Sequence, residues 1–372
     1  MPKIAFVLES FYGDHIGGAE RQVQMLGEAL RGEGWETCYL CERSADKSKR
    51  ESIQGMDVYA IPVRRKLYTW LNWKALFAAV KECQADLYYQ RVRHPYTGLA
   101  VRAAHRLQKP IIWAAASLAD VIRKDDLRFT RRGGHPVNGL LHIGQRWIED
   151  QGILQMDKII LQTEEQKRLL LENYGRDGKV IPNHLVVGSD GVIPKRTPPQ
   201  ILWLSNIKPF KRADLFIQLA ERCRDLCAEF VMVGGCQDRD FSKKIEQFSE
   251  KNPHFTYLGP LEPIQSEKCI AEATLLVNTS SFEGFPNAFQ QAWYYGVPVL
   301  SLGVDPDQLI ESKRLGHNAH SLNELETALR RLLKNEQERS EIAARAKAFT
   351  RKEFDLKKLL PEYIELFEGL LK

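Results

Sequence analysis

The chain opens on an unbroken apolar run, Ile4-Ala5-Phe6-Val7-Leu8, the pattern of a strand buried on both faces. A glycine-containing loop from Tyr12 to Gly18 follows. Val23, Leu26, Ala29 and Leu30 then recur at helical spacing, so a helix is predicted over 19–31, stopped by Gly32 and Gly34. The next strand reads at 37–41. Strand, helix and strand with short connections make a βαβ unit, which implies a parallel sheet. The alternation continues with strands at 58–61, 86–89, 110–114, 158–162 and 180–181. Helices are predicted at 70–83, 96–107 and 139–155, and Thr163 and Gln166 have capping-box spacing for another to about 174.

Periodicity then lapses. Residues 188–200 hold two glycines and three prolines, the composition of a linker. Alternation restarts with strands at 201–205, 229–233, 256–258, 275–278 and 297–301 and helices at 213–227, 266–272 and 288–295. Ser321 and Glu324 form a capping box for a leucine-rich helix, and 340–372 is mostly helical. The fold class is therefore α/β, with two doubly wound, Rossmann-like domains. The first is expected over 1–188, a linker over 189–200, the second over 201–350, and over 351–372 a helix that crosses back to the first domain. Such sheets bind ligands beyond the carboxyl ends of their strands, so two facing domains would place two ligands across one gap.

Composition changes this picture little: 372 residues, 44% hydrophobic and 27% charged, suit two ordinary globular domains. The placement of charge changes it more. Residues 1–190 carry 28 basic and 23 acidic side chains, so the whole formal excess of +5 sits there, and the remainder is neutral. Within it, 60–135 holds 15 basic and 5 acidic residues, a surface suited to an anionic partner. No nucleic-acid-binding motif accompanies that charge. Seven scattered cysteines, and five apolar residues followed by Glu9 where a secretory signal would start, fit a reducing cytosol. Cys38 and Cys41 form a C-x-x-C without a second pair at zinc spacing, so both are expected to be buried structural thiols. No stretch approaches the roughly 20 apolar residues of a spanning helix.

Three loops carry candidate chemistry. Gly17-Gly18-Ala19-Glu20 lies between the first strand and first helix, where free N–H groups and the helix dipole favour an anion. Asn206 to Arg212 follows the first strand of the second domain, and Lys211 and Arg212 there suit a phosphate clamp. Ser280 to Asn287 follows the strand at 275–278, with Asn287 placed to cap the next helix and Glu283 on a loop expected to face the gap, able to accept hydrogen bonds from sugar hydroxyls.

Together these motifs resemble those of the retaining, nucleotide-sugar-dependent glycosyltransferases of GT-B fold known as glycosyltransferase family 4. The resemblance spans the chain: Gly-Gly-x-Glu; Gln162, Thr163 and Gln166; Ile181-Pro182-Asn183; Lys211; Val233-Gly234-Gly235; and the block from Glu283 to Val299. It implies a nucleotide-sugar held by the second domain. Lys211 would neutralise the diphosphate and Glu283 contact the transferred sugar. Gly284, Phe285, Pro286 and Asn287 would present backbone groups, with Gly17, Gly18, Gly234 and Gly235 as further donor contacts. Where the family usually has an arginine five residues before the lysine, this chain has Asn206. Where it has a second glutamate, this chain has Gln291. A subgroup shares N-x-x-x-x-K-R with E-G-F-P-N and Q-A-W. In it Gln291 takes over the ribose contact and Arg212 the missing positive charge. A histidine common near the reacting centre is replaced by Ala114-Ala115-Ala116-Ser117, and His94, His135 and His142 read as surface or loop residues.

The resemblance implies transfer with retention, no bound cofactor and no metal. The donor is expected to be a UDP- or GDP-sugar and the acceptor a glycan or lipid-diphosphate-linked saccharide of bacterial surface polysaccharide synthesis. Acceptor contacts are expected from Arg91, Ser117, Asp120 and Arg123. The basic, aromatic stretch 64–77 suits either a core helix with a basic rim or an anionic membrane surface; the second would place the protein on the inner face of the membrane rather than free in the cytoplasm. A catalytically degenerate GT-B scaffold, and a GT-B epimerase or phosphorylase, are the alternatives.

Overall fold

Continuous apolar runs become central strands here because helices cover both faces. The computed structural model describes residues 1–12, 17–43, 50–53, 55–62, 72–123, 136–188 and 193–372, with only the backbone of 136–142. Most of the stretch 64–77 (its residues 64–71) lies outside them, as do His135 and the basic residues Lys124, Arg131 and Arg132 of a second basic loop that the sequence offers near the expected gap.

The described residues form two units, Met1–Asn183 with Leu359–Lys372, and His184–Lys358. The first holds β1 (Lys3–Val7), α1 (Gly18–Gly32), β2 (Glu36–Arg43), β3 (Arg50–Ile53), β4 (Met56–Pro62), α2 (Trp73–Cys83), β5 (Leu87–Arg91), α3 (Pro95–Arg106) and β6 (Ile111–Ala114). It continues with α4 (Leu118–Val121), α5 (Pro136–Gln155), β7 (Lys158–Leu161), α6 (Glu164–Tyr174) and β8 (Lys179–Val180). Its sheet runs β3-β4-β2-β1-β5-β6-β7-β8, parallel except where β3 meets β4. α3 and α5 cross on glycines: a Cβ on Gly98 would lie 2.0 Å from the Ile148 carbonyl oxygen.

The second unit holds β9 (Gln200–Leu204), α7 (Ala213–Arg222), β10 (Glu229–Val233), α8 (Arg239–Lys251), β11 (Phe255–Tyr257), α9 (Pro263–Glu272) and β12 (Leu275–Asn278). Then come α10 (Asn287–Tyr294), β13 (Val299–Leu302), α11 (Leu309–Ser312), β14 (Gly316–Ala319), α12 (Leu322–Lys334), α13 (Glu336–Glu353) and the start of α14 (Leu356–Leu371). The sheet order is β11-β10-β9-β12-β13-β14, all parallel. Trp203, Phe216 and Phe230 fill one face; Phe289, Trp293 and Phe354 fill the other. The rest of α14 belongs to the first unit, where Phe367 packs 5.9 Å from Trp35 and 6.2 Å from Tyr89, ring centre to ring centre.

Several boundaries differ from the sequence reading. The units divide after Asn183 rather than after 188, because Leu185 bridges to Asp355 and the Gly188 N–H donates to the Tyr294 hydroxyl. The second unit runs to Lys358, beyond the expected 350. α7 stops at Arg222 because Arg330 takes the Arg222 carbonyl and clamps Asp225 in the turn beyond. α10 begins at Asn287 with Pro286, not Asn287, as its cap; proline fixes the φ of −63° that a helix start needs. Cys38 and Cys41 are both buried, and all seven cysteines are free.

Candidate active site

The order of strands reverses between β9 and β12, the switch point at which open α/β sheets bind ligands. Because these strands are neighbours, the loops after them meet. The Ser281 N–H donates to the Phe210 carbonyl at 2.8 Å, and the Phe210 and Phe282 rings stack 4.8 Å apart. Beneath, the buried Trp203 indole donates to the Thr279 hydroxyl at 2.9 Å. That hydroxyl lies 2.8 Å from the Lys211 carbonyl and 2.9 Å from that of Arg212. The last turn before α7 thus hangs on β12, with Arg212 in the left-handed region at φ 49°.

This scaffold fixes Lys211 against Glu283. The ammonium forms an ion pair with Glu283 Oε1, which also accepts from the Ser280 hydroxyl at 2.7 Å. Ser280 is held in turn by both ends of the Asn278 amide. The Lys211 and Glu283 side chains are 16% and 12% exposed. Glu283 stays on the loop where the sequence places it, but Lys211, 72 residues away in the chain, covers it. The pair places one cation and one hydrogen-bond-accepting carboxylate side by side, the two functions a sugar diphosphate needs.

The other expected donor residues surround this pair unevenly. Asn206 is exposed on the same loop. Arg212 turns outward to Asp214, at 3.2 and 3.3 Å. Gly234 has φ 147°, and a Cβ there would lie 1.8 Å from the Ser205 carbonyl oxygen, so glycine is required for β10 to pass under the β9 loop. The Gly235 carbonyl accepts from the Ile207 N–H at 2.8 Å. Gly284 is buried, and the Phe285 side chain packs into the core against Phe354 and Trp293, leaving only main chain for a ligand. Gln291 sits on α10, 7% exposed. The sequence reading missed Thr279, and it marked the loops that hold Ser280, Phe210 and Phe282 without giving these residues a role. The run of hydroxyl residues ending β12 was the available signal for the first two.

In the first unit Gly17 caps α1, where the Glu20 carboxylate folds back to accept from the Ser10 hydroxyl at 2.6 Å and Gly18 starts the helix. Ser117 and Asp120 form a capping box for α4. The Asp120 carboxylate accepts from the Ala116 and Ser117 N–H groups at 2.7 and 3.1 Å, and burial pushes its pKa up. Arg123 is half-exposed near Asp150, whereas Arg91 is buried against Tyr89 and Asn183. His94 caps α3 through Nδ1 and faces Glu9 at 3.4 Å. The Gln-Thr-x-x-Gln motif is structural: Gln166 accepts from the Gln162 N–H, and Gln162 donates to Asn183. Among the described residues no group of three His, Cys, Asp or Glu side chains could hold a metal ion.

Residues 16–185 match the model "Glycosyltransferase Family 4" and residues 198–335 the model "Glycosyl transferases group 1". No curated protein matches the chain. Among solved structures, sucrose-phosphate synthase from Thermosynechococcus elongatus is 14% identical, with a TM-score of 0.78 over 100% of this chain and 99% of that one. Anabaena HepE in complex with UDP and glucose is 16% identical, with a TM-score of 0.72 over 99% and 100%. WaaG, a glycosyltransferase involved in lipopolysaccharide biosynthesis, is 14% identical, with a TM-score of 0.72 over 98% and 99%. At such identities the likeness establishes the GT-B fold, and the two family models add that the first half is like glycosyltransferase family 4 and the second like the group 1 glycosyl transferases.

Proposed function

We propose that this protein moves a sugar, with retention at the anomeric carbon, from a nucleotide diphosphate sugar to a glycan or lipid-linked saccharide acceptor in bacterial surface glycoconjugate synthesis. The observation that carries this reading is the Lys211–Glu283 pair at the carboxyl ends of β9 and β12. When the donor binds, Lys211 exchanges the Glu283 carboxylate for the diphosphate, and Glu283 turns its freed oxygen to sugar hydroxyls. Main-chain groups of 284–287 complete the sugar site, and the Gln291 carbonyl accepts from ribose hydroxyls. Asn206 and Arg212 border the phosphates.

The bond from the anomeric carbon to the diphosphate oxygen breaks as the acceptor hydroxyl attacks from the same face. Its proton passes to the departing diphosphate, so no protein nucleophile is used. The chain contributes position and a cation already in place where charge develops. The acceptor is assigned to the first unit, at Arg91, Ser117, Asp120 and Arg123, with Asp120 acting through the α4 cap. Exposed Trp73, with the Lys74 ammonium 5.5 Å from its ring centre, supports contact with an anionic membrane surface near 64–77. WaaG, named for lipopolysaccharide biosynthesis, supports the same setting. No described helix is long and apolar enough to cross a membrane.

The test is incubation of pure protein with UDP-, GDP- and ADP-sugars. Release of nucleotide diphosphate from one class supports the reading; no turnover or hydrolysis of any would favour a degenerate scaffold.

A further inference from the structure

A lysine carries its charge on a flexible stem, so where the ammonium stands depends on how firmly the main chain beneath it is held. The turn that carries Lys211 is held weakly from within. It is one 3-10 turn, Pro209–Lys211, closed by the Lys211 N–H on the Lys208 carbonyl at 2.9 Å and the Arg212 N–H on the Pro209 carbonyl at 3.3 Å. Arg212 follows in the left-handed region, at φ 49°, as the cap of α7, and its side chain makes no capping hydrogen bond. A non-glycine residue adopts that conformation at a cost, so contacts from outside the turn must impose it.

Thr279, the residue after β12, supplies them. It is 1% exposed, and three groups meet its hydroxyl. The Trp203 indole N–H donates to it at 2.9 Å, and it lies 2.8 Å from the Lys211 carbonyl oxygen and 2.9 Å from that of Arg212. A hydroxyl owns one proton and two lone pairs. The indole takes a lone pair, so the single proton is shared by the two carbonyls. These belong to the successive peptides on either side of the Arg212 α-carbon, and holding both fixes the dihedral angles of Arg212 and the direction in which Lys211 leaves the turn. The hydroxyl is itself fixed, by the stiffness of a β-branched side chain and by the buried indole. The Arg212 carbonyl also accepts from the Leu215 N–H at 3.0 Å, which ties α7 to the same point. The next residue, Ser280, holds Glu283 Oε1 at 2.7 Å. Two consecutive residues thus set the two halves of the ion pair, one through the main chain and one through the side chain.

We infer that Thr279 is a positioning residue: its hydroxyl, aimed by the Trp203 indole, sets where the Lys211 ammonium stands beside Glu283. The consequence for rate rests on the transferase reading; the consequence for the turn does not.

The test compares Thr279→Val, which keeps the shape and loses the hydroxyl, with Thr279→Ser, which keeps the hydroxyl. Thr279→Ala takes the place of Thr279→Val should that variant not fold. Hydrogen exchange on the full chain reads the turn. Exchange at the Lys211, Arg212 and Leu215 amides should be roughly 5- to 30-fold faster in Thr279→Val and near wild type in Thr279→Ser. Nucleotide release at saturating donor reads the rate, in the Lys211 and Lys211→Ala backgrounds. With Lys211 present, Thr279→Val should lower kcat roughly 10- to 100-fold, as misplacement of a reacting group by about 1 Å does, and Thr279→Ser should restore most of it. With Lys211→Ala, the same change should cost less than about twofold, because the group that Thr279 positions is gone. Equal losses in the two backgrounds would overturn the inference, as would equal losses in Thr279→Val and Thr279→Ser, or unchanged exchange at the three amides. If wild type releases nucleotide from no sugar donor, the transferase reading fails, and exchange at those amides still decides whether Thr279 holds Lys211.

Discussion

Replacing Lys211 by alanine perturbs two things that the structure separates. In the free protein it strands the Glu283 carboxylate, 12% exposed, with the Ser280 hydroxyl as its remaining hydrogen-bond donor among the described contacts. Removing one partner of a fully buried ion pair costs about 3–5 kcal/mol. Here residual solvent and Ser280 reduce that to about 1–2 kcal/mol, a melting shift of roughly 2–8 °C. In the proposed reaction it removes the cation assigned to the departing diphosphate. By analogy with a lost oxyanion donor this raises the barrier by about 2.7–4 kcal/mol, which slows kcat by roughly 100- to 1000-fold. The double variant Lys211→Ala/Glu283→Gln distinguishes the effects, because it removes the stranded charge and should recover stability without recovering rate. Initial rates of nucleotide release at saturating donor, on variants whose folding is verified by circular dichroism, give both numbers. A folded Lys211→Ala enzyme with kcat within about threefold of wild type would refute the assignment.

Gly234→Ala forces a Cβ onto the Ser205 carbonyl at a φ of 147°, so calorimetry should show a loss of about 3–5 kcal/mol; a melting temperature within roughly 2 °C of wild type would contradict the required close approach. Lys195 is an exposed residue whose ammonium is desolvated where it meets the protein; that desolvation, reinforced by the Lys347 ammonium, pushes it down to about 8, and Nζ donates to the Ala271 and Tyr295 carbonyls at 2.8 and 3.1 Å. The folded state releases this proton more readily than the unfolded chain, so the associated stability is present at high pH and lost as pH falls through about 8. Urea unfolding of wild type should therefore gain more between pH 8 and about 10 than that of Lys195→Met, and equal gains would refute it. The proposed mechanism uses no metal, so prior treatment with a chelator should leave transfer unchanged; abolished activity would refute that part of the proposal.

Elements with a strong local signature were legible in the sequence. β1 and β9 announce themselves by apolar runs, and α12 by Ser321, whose side chain accepts from the Glu324 N–H. α8 was passed over although Phe241, Ile245 and Phe248 recur at helical spacing and pack into the core, and although Asp238 accepts from the N–H groups of Asp240 and Phe241; the charged residues between them bury only Ile245 fully. β14, Gly-His-Asn-Ala, has no strand propensity and exists because β13 pairs with it. At the site, the motifs marked Lys211 and Glu283 separately. Their pairing depends on β9 and β12 being neighbours, a fact of topology that neither loop encodes. The same holds for Thr279, whose link to Trp203 and Lys211 appears only once the two strands lie side by side.

The central claim is that this chain transfers sugar from a nucleotide diphosphate with the leaving group itself taking the proton. Proton NMR of the product formed by pure protein, from an α-linked donor and a competent saccharide acceptor, tests it most directly. The account predicts an α-linked product whose appearance tracks nucleotide diphosphate release. A β-linked product would contradict it.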